Sequence, residues 1–483
     1  MESLGPIVSQ MDRPMISLQS LAGPRGIPIF GNARQIIPEK MHQQLEEWSQ
    51  IFGDRYKIVL GSRQVLVCSN PDDIAALLKD RPNRFRRTTR LEMVAKELQM
   101  AGLFAANGED WRRQRTLVMQ AFNPIHVKSY FPSLQTVAQR FQKRLARQAD
   151  AGIAFEMEPD LMRYTVDVTA GLAFGTDMNT IESDGEIIQE HLNDIFRMLQ
   201  KRLFAPFPYW HWFRLSEDRA LDRSVQKVGE YIATFIHDTH ERMAKNPALY
   251  EHPENLLEAM IAARDEDDTK LSQSDLTGNV MTILLAGEDT TAHTLAWTIY
   301  LLHNHADMFL RVREEADRVM GKNAVASSHE QLKQMDFIEA CINESMRLRP
   351  VAPVIGGEAN CDTEVANVSM PKGTMVLLLS RVAATDEQHF LNALDFYPDR
   401  WLSPPSDENN RKVCVPFGAG PRLCPGRFLA LEEMKIVISL IAKNFDIERL
   451  DTPDGKPVQE RMTFTMAPKG LRLTLRHRTQ RVH

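Results

Sequence analysis

The chain has 483 residues, of which 43% are hydrophobic and 25% charged, and a net charge of −6. That composition belongs to a folded globular protein and excludes disordered, collagenous and coiled-coil classes, while the acidic balance argues against a nucleic-acid partner. Five widely spaced cysteines (Cys68, Cys341, Cys361, Cys414, Cys424) include no CxxC pair, which disfavours a disulfide scaffold or zinc module and suits a reducing compartment.

Residues 1–20 carry neither the apolar core of a signal peptide nor a membrane-spanning run, and are expected to be a flexible segment ahead of a single domain over 21–483. The expected setting is cytoplasmic and monomeric, without an integral membrane anchor. After an extended stretch from Leu21 to Asn32, the sequence RYKIVLGSRQVLVCSN reads as a hairpin turning at Gly61-Ser62. Helical periodicity then dominates, predicting helices over 71–79, 110–121, 133–150, 159–174, 186–202, 219–245 and 275–303. Helices over 306–320 and 330–348 follow. Short strands are expected within Val368–Leu379, then a long irregular loop, an amphipathic helix from Pro425 to Asn444 and a strand pair within Met462–Arg476. The fold class is mainly α with small β-sheets. The most apolar stretch, Val280 to Leu302, contains Gly287, Glu288, Asp289 and His293, so it reads as a buried helix rather than a membrane span.

Four segments carry chemistry. In Phe417-Gly418-Ala419-Gly420-Pro421-Arg422-Leu423-Cys424-Pro425-Gly426, a cysteine sits in a glycine-rich loop just before a helix. Unpaired amides and the positive dipole end of that helix, with Arg422 nearby, favour a thiolate. In Ala286-Gly287-Glu288-Asp289-Thr290-Thr291, glycine, acids and threonines interrupt the centre of a long apolar helix, a local conflict typical of functional sites. Glu344 and Arg347, at i and i+3, share a helix face, and a second guanidinium is able to complete the carboxylate. Trp111 and Arg115, at i and i+4, are placed to reach one carboxylate together.

These motifs resemble the cytochrome P-450 superfamily of heme-thiolate monooxygenases, whose ligand loop reads Phe-x-x-Gly-x-Arg-x-Cys-x-Gly. Phe417, Gly420, Arg422, Cys424 and Gly426 match every defined position, and the resemblance runs from Leu21 to Leu473. It implies the P-450 fold and heme b (iron protoporphyrin IX), with Cys424 as metal ligand and axial thiolate and Phe417 packed on the sulfur side of the ring. It also implies that Asp289 and Thr290 relay protons to dioxygen, that Ala286 and Gly287 leave room for it, and that Glu288 has no catalytic role. Glu344, Arg347 and Arg400, from the Phe396–Trp401 segment, become a structural lock. Trp111, Arg115 and Arg422 become heme-propionate partners. A third basic partner found in many members after the ExxR helix is replaced here by Pro353-Val354-Ile355-Gly356-Gly357. Pro425 removes an amide that many members offer the thiolate.

The expected reaction inserts one atom of O2 into a hydrophobic small molecule, by C–H hydroxylation or epoxidation. By analogy the pocket is lined by Arg87–Phe104, Phe196–Trp212, Val351–Ile355 and Phe464–Met466, with the aromatic Leu203–Trp210 link as a greasy lid. Fatty acids lead as substrate, with terpenoids and steroids next, and Arg86, Arg87 and Arg90 are candidates for a substrate carboxylate. Electrons are expected from a separate ferredoxin- or flavodoxin-type donor with its reductase, steered by Arg112, Arg113, Arg411, Lys412 and Arg427. A peroxide-dependent peroxygenase and a non-catalytic heme sensor or carrier are the alternatives.

Overall fold

The computed structural model describes residues 15–183, 188–205, 207–265, 271–365, 367–406 and 408–479, the side chain of Gln120 excepted. Most of the chain is helical, and the helices share one large apolar core that runs from Leu91 to Leu475. Local chemistry sets their ends. Asn70 accepts the amides of Asp72 and Asp73 to open Pro71–Lys79, while Gly152 and Gly175 close Phe131–Ala151 and Met157–Phe174 in the left-handed conformation. The longest central helix, Gln273–Asn304, opens with a reciprocal Ser272–Asp275 capping box and extends about 48 Å at 1.5 Å per residue. It packs on Met157–Phe174, Asp336–Leu348 and Arg427–Asn444, so it crosses the middle of the core.

A five-stranded sheet lies to one side, in the order Arg55–Leu60, Arg63–Cys68, Met375–Leu379, Val354–Ala359, Phe85–Arg86. The expected hairpin pairs Leu60 with Arg63. Its second strand runs parallel to Met375–Leu379, which pairs antiparallel with Val354–Ala359. Smaller apolar clusters cover the two faces of this sheet.

Several expectations are corrected. Residues 15–20, read as part of a flexible segment, are built into the fold: Ile16 and Ser17 pair in parallel with Val368 and Ser369, and Leu18 is buried. Residues 1–14 lie outside the described set, as do residues 186 and 187 of the helix expected over 186–202. The helix expected over 330–348 is broken into His329–Leu332 and Asp336–Leu348. Glu315, from the neighbouring Ala306–Met320 helix, accepts the Phe337 and Ile338 amides at 3.2 and 2.8 Å and so caps the second piece. The final strands do not pair with each other as expected. Glu460–Met462 forms a hairpin with Met466–Pro468, whereas Arg472–His477 pairs with Phe445–Asp451 and Phe155–Glu156. The helix after Cys424 begins at Arg427, because Pro425 and Gly426 form the preceding turn, and it is buried almost all round from Glu433 to Ala442 rather than amphipathic. Helices Met41–Phe52, Thr89–Glu97 and Leu256–Asp265 were not anticipated.

One buried cluster fixes the loops around the cysteine. Arg347 chelates Glu344 through two hydrogen bonds of 2.8 Å, and Arg400 Nε, Trp401 Nε1 and the Tyr397 amide add bonds of 2.9, 2.9 and 3.0 Å to the same carboxylate. The remaining Arg347 donors bind the Ala384, Ala393 and Asp395 carbonyls. Arg400 similarly binds the Leu391 and Asn392 carbonyls. Removing the charge on Glu344 leaves two buried guanidiniums without a counter-ion. Glu344→Gln is therefore expected to lower unfolding free energy by about 3–5 kcal/mol, read as a urea midpoint shift by far-ultraviolet circular dichroism. An unchanged midpoint would show that the carboxylate does not hold these loops.

Candidate active site

The Phe417–Gly426 loop is pinned by its backbone. Gly420 sits at φ 68°, and a Cβ there would collide with the Leu78 carbonyl and Lys79 Cα at the end of the Pro71–Lys79 helix. The Cys424 amide donates to the Phe417 carbonyl at 2.9 Å, closing the loop. Enclosure by protein pushes the Cys424 thiol up, while the nearby Gly426 amide and the charges of Arg115 and Arg427 work the other way. Pro425 itself offers the sulfur no amide. Every residue from Val413 to Phe428 keeps some accessible surface, and Phe417 packs against the main core.

Basic side chains crowd this loop. Arg115 Nη2 donates to the Leu423 carbonyl at 2.6 Å, and Arg422 Nη2 donates to the Ala106 carbonyl at 2.6 Å. The Arg422 guanidinium lies 4.8 Å from the Trp111 ring centre, so Trp111 meets a cation on its face. Two further members join them: Arg87, offered by the sequence only as a candidate for a substrate carboxylate, and Arg81, which sequence reasoning did not single out. Arg87 lies over the Phe104 ring at 4.1 Å and donates to the Phe104 carbonyl, and Arg81 is buried with its Nε unpartnered. None of Arg81, Arg87, Arg115 and Arg422 makes an ion pair among the described residues. Burial first, and then mutual repulsion, pulls Arg422 down to about 10 and Arg87 well below its ordinary value. Burial alone pulls Arg81 down to about 10. Arg422 Nε also lacks a partner. Guanidiniums withdrawn from water, Arg81 fully and the other three in part, are costly without carboxylates, so the donor set fits an anionic group with several acceptor oxygens, such as the propionates of heme b.

The central helix presents a narrow accessible strip. Between Gly278 and Ile299 every residue is buried except Ala286, Gly287 and Thr290, which share one face at i, i+1 and i+4. Thr290 Oγ1 donates to the Ala286 carbonyl at 2.8 Å, and Thr294 and Thr298 repeat the bond one and two turns on. The missing side chain of Gly287 makes room for Thr169 of Met157–Phe174, where a Cβ would overlap the threonine, while its backbone stays on the accessible strip. Asp289 is buried, accepts a hydrogen bond from Thr465 Oγ1 at 3.3 Å, and leaves Oδ1 without a partner. Burial above all pushes its carboxyl above the usual range. Glu288, also pushed well up by burial, has two unpartnered oxygens.

The stretches expected to line a pocket meet in part. Phe104 and Phe196 both pack on Phe464, with ring centres 5.7 and 5.4 Å away. Arg86 is occupied by Glu92 and Glu358, and Arg90 binds the Arg202 and Ala205 carbonyls. A groove of about 1140 Å³ lies instead between Thr89–Glu97, the aromatic link, Ser216–Lys245 and the start of the central helix. Its lining is mixed: Trp210 and His211 both hydrogen-bond Glu97 at 2.7 Å, and Arg202, Arg214 and Asp222 also face it. The link is therefore less greasy than expected; Pro206 within it lies outside the described residues. The basic patch is also reduced, since Arg112 pairs with Glu109, and Arg113 with Asp110 and Asp275.

Among the described residues no helix is long and apolar enough to cross a membrane. Comparison with known proteins bears on the same site. The cytochrome P450 family model matches residues 21–475. The chain is 26% identical to LUTEIN DEFICIENT 5, chloroplastic, of Arabidopsis thaliana, over 93% of this chain and 76% of that protein. It is 24% identical to cytochrome P450 3A15 of Cavia porcellus, over 88% of this chain and 85% of that protein. A self-sufficient cytochrome P450 monooxygenase of Penicillium expansum is 27% identical over 96% of this chain, which spans only 44% of that protein. In fold, the chain superposes on the cytochrome P450DA heme domain with a TM-score of 0.82 at 22% identity, covering 97% of this chain and 99% of that one. With a cysteine cradled ahead of a helix, guanidiniums awaiting an anion and a family match over nearly its whole length, the chain belongs to the cytochrome P450 family of heme-thiolate monooxygenases, whose cofactor is heme b.

Proposed function

We propose that this chain inserts one oxygen atom of O2 into a hydrophobic substrate, by hydroxylation or epoxidation, using electrons from a separate ferredoxin- or flavodoxin-type donor. The observation that carries the reading is the pairing of the amide-cradled Cys424 with four guanidiniums that lack a counter-charge. Cys424 would ligate the heme iron, Phe417 and Gly426 would shape the sulfur side, and Arg115, Arg422 and Trp111 would hold the propionates. Arg87, with Arg81 behind it, supplies the basic partner missing after the ExxR helix. Heme b, when bound, supplies the activation of dioxygen and the oxygen transfer itself.

The remaining work falls to side chains of this chain. The Thr290 hydroxyl, anchored on the Ala286 carbonyl, holds a proton at Oγ1 on the accessible strip of the central helix. Asp289, whose carboxyl burial pushes above the usual range and whose Oδ1 is unpartnered, is suited to hold a proton and release it. Phe104, Phe196 and Phe464 support an apolar substrate body. Because Arg86 and Arg90 are committed to other partners, recognition rests on that body more than on capture of a carboxylate. Fatty acids, terpenoids and steroids are the classes to test.

Arg87→Met separates the two roles of the guanidinium cluster. In the cofactor-free chain it is expected to raise the melting temperature modestly, since a half-buried charge without a counter-ion is removed. In the loaded protein it is expected to speed heme transfer to apomyoglobin, and equal heme retention would remove Arg87 from the propionate set. A Soret titration of the ferric protein with dodecanoic acid, a monoterpene alcohol and a steroid should give a blue shift with one class. With that class, Thr290→Ala should keep consuming reductant while product is replaced by hydrogen peroxide; unchanged product yield would favour a peroxide-driven enzyme.

A further inference from the structure

A chain of polar side chains leads from Asp289 to the protein surface. Thr465, at the turn between Glu460–Met462 and Met466–Pro468, donates to Asp289 Oδ2 at 3.3 Å. His293, one helical turn beyond Asp289, places Nδ1 2.9 Å from Thr465 Oγ1 and Nε2 3.1 Å from Glu158 Oε1. Glu158, in the first turn of Met157–Phe174, also accepts from Arg461 at 2.9 Å. His293 and Thr465 are 2% and 3% exposed, whereas the Glu158 and Arg461 side chains are 21% and 33% exposed.

We infer that Glu158, His293 and Thr465 form a proton relay that recharges Asp289 from bulk water, with Arg461 holding its outer end. The inference rests on the reading of Asp289 as the proton-releasing acid of the site.

A histidine that only filled space would need one satisfied nitrogen. Here both nitrogens are engaged, one toward a buried acid through a hydroxyl and the other toward a half-buried carboxylate that reaches the surface. The direction of the bonds is fixed by the chemistry. Because the Thr465 hydroxyl donates to Asp289, its oxygen must accept, so His293 carries hydrogen on Nδ1. Charged neighbours support the same arrangement. Burial disfavours the imidazolium, but Asp289 and Glu158 together outweigh burial and the Arg461 charge and raise the His293 pKa. Burial likewise opposes ionised Glu158, yet His293 and Arg461 hold it below the usual range.

One transfer moves a single proton equivalent. Glu158 passes a proton from water to the bare Nε2, giving imidazolium; its Nδ1–H bond then breaks as a new O–H forms on Thr465, whose original O–H breaks as one forms on Asp289 Oδ2. Imidazolium and carboxylate both become neutral, and no electrons change hands. The ring returns to its first tautomer by exchange with water, Nε2 losing a proton to Glu158 as Nδ1 gains one. Thr465 is needed because a carboxylate and an imidazole on one helix, four residues apart, are here joined through a third group rather than directly.

The test uses the heme-loaded protein with a plant-type ferredoxin and its reductase, both without substrate and with dodecanoic acid as the probe. The readouts are the share of reductant electrons recovered as hydrogen peroxide and the solvent deuterium isotope effect on oxygen consumption. His293→Gln, which cannot titrate, and Thr465→Val, which cannot hand on a proton, should each raise both readouts and slow proton-limited turnover by roughly 10- to 100-fold. Thr465→Ser, which keeps the hydroxyl, should recover what Thr465→Val loses. Matching ferric Soret bands and melting temperatures would exclude misfolding, and hydrogen bonding that is merely structural would leave the isotope effect unmoved. If Asp289→Asn changes both readouts while His293→Gln and Thr465→Val change neither, the relay is wrong and the acid stands. If Asp289→Asn is silent as well, the reading of Asp289 falls and the relay with it.

Discussion

The geometry of the site depends on a single carboxylate. Glu344 is fully enclosed and receives hydrogen bonds from two guanidiniums, an indole and a backbone amide. Those donors belong to the Asp336–Leu348 helix and to the turn around Pro398–Trp401, and the same guanidiniums hold carbonyls from Ala384 to Asp395. A stretch with little regular structure thereby acquires fixed backbone positions. The cysteine loop follows immediately, docked through Gly420 on the Pro71–Lys79 helix. Irregular backbone normally wanders, and here side-chain charge replaces the hydrogen-bond ladder that a strand or helix would supply.

Much of the helical framework was legible because its signals are local. Apolar spacing, Asn70, Gly152, Gly175 and the Ser272–Asp275 box act within one or two turns, so boundaries at 71–79 and 306–320 agree to the residue. The failures came from partners distant in sequence. The split at Met335 reflects a carboxylate from another helix, and the pairing of Arg472–His477 with Phe445–Asp451 rather than with its near neighbour is a tertiary choice. Thr89–Glu97 escaped notice because it is only nine residues long and four of them are charged, although Leu91, Val94 and Ala95 keep helical spacing and Thr88 caps it in the ordinary way.

The site shows the same division. Cys424, Glu344, Arg347, Arg400, Asp289 and Thr290 stood out because each lies in a short pattern of fixed spacing. Arg81 and Arg87 lie in no such pattern; only their common lack of a counter-ion in three dimensions singles them out. His293 was noted as a polar interruption of an apolar helix, but its partners come from residues 158 and 465, which no spacing rule connects. Gly287 has a further role that no spacing shows: the side chain it lacks would overlap Thr169 of another helix.

The guanidinium cluster also ties the chain's fate to cofactor supply. A group that binds only the folded state adds stability that grows with the logarithm of its free concentration, and here it also cancels like-charge repulsion built into the empty fold. Heme binding would supply the counter-charge that Arg81, Arg87 and Arg422 lack, as well as complete the site. Charge placement thus couples cofactor loading to the stability of the fold.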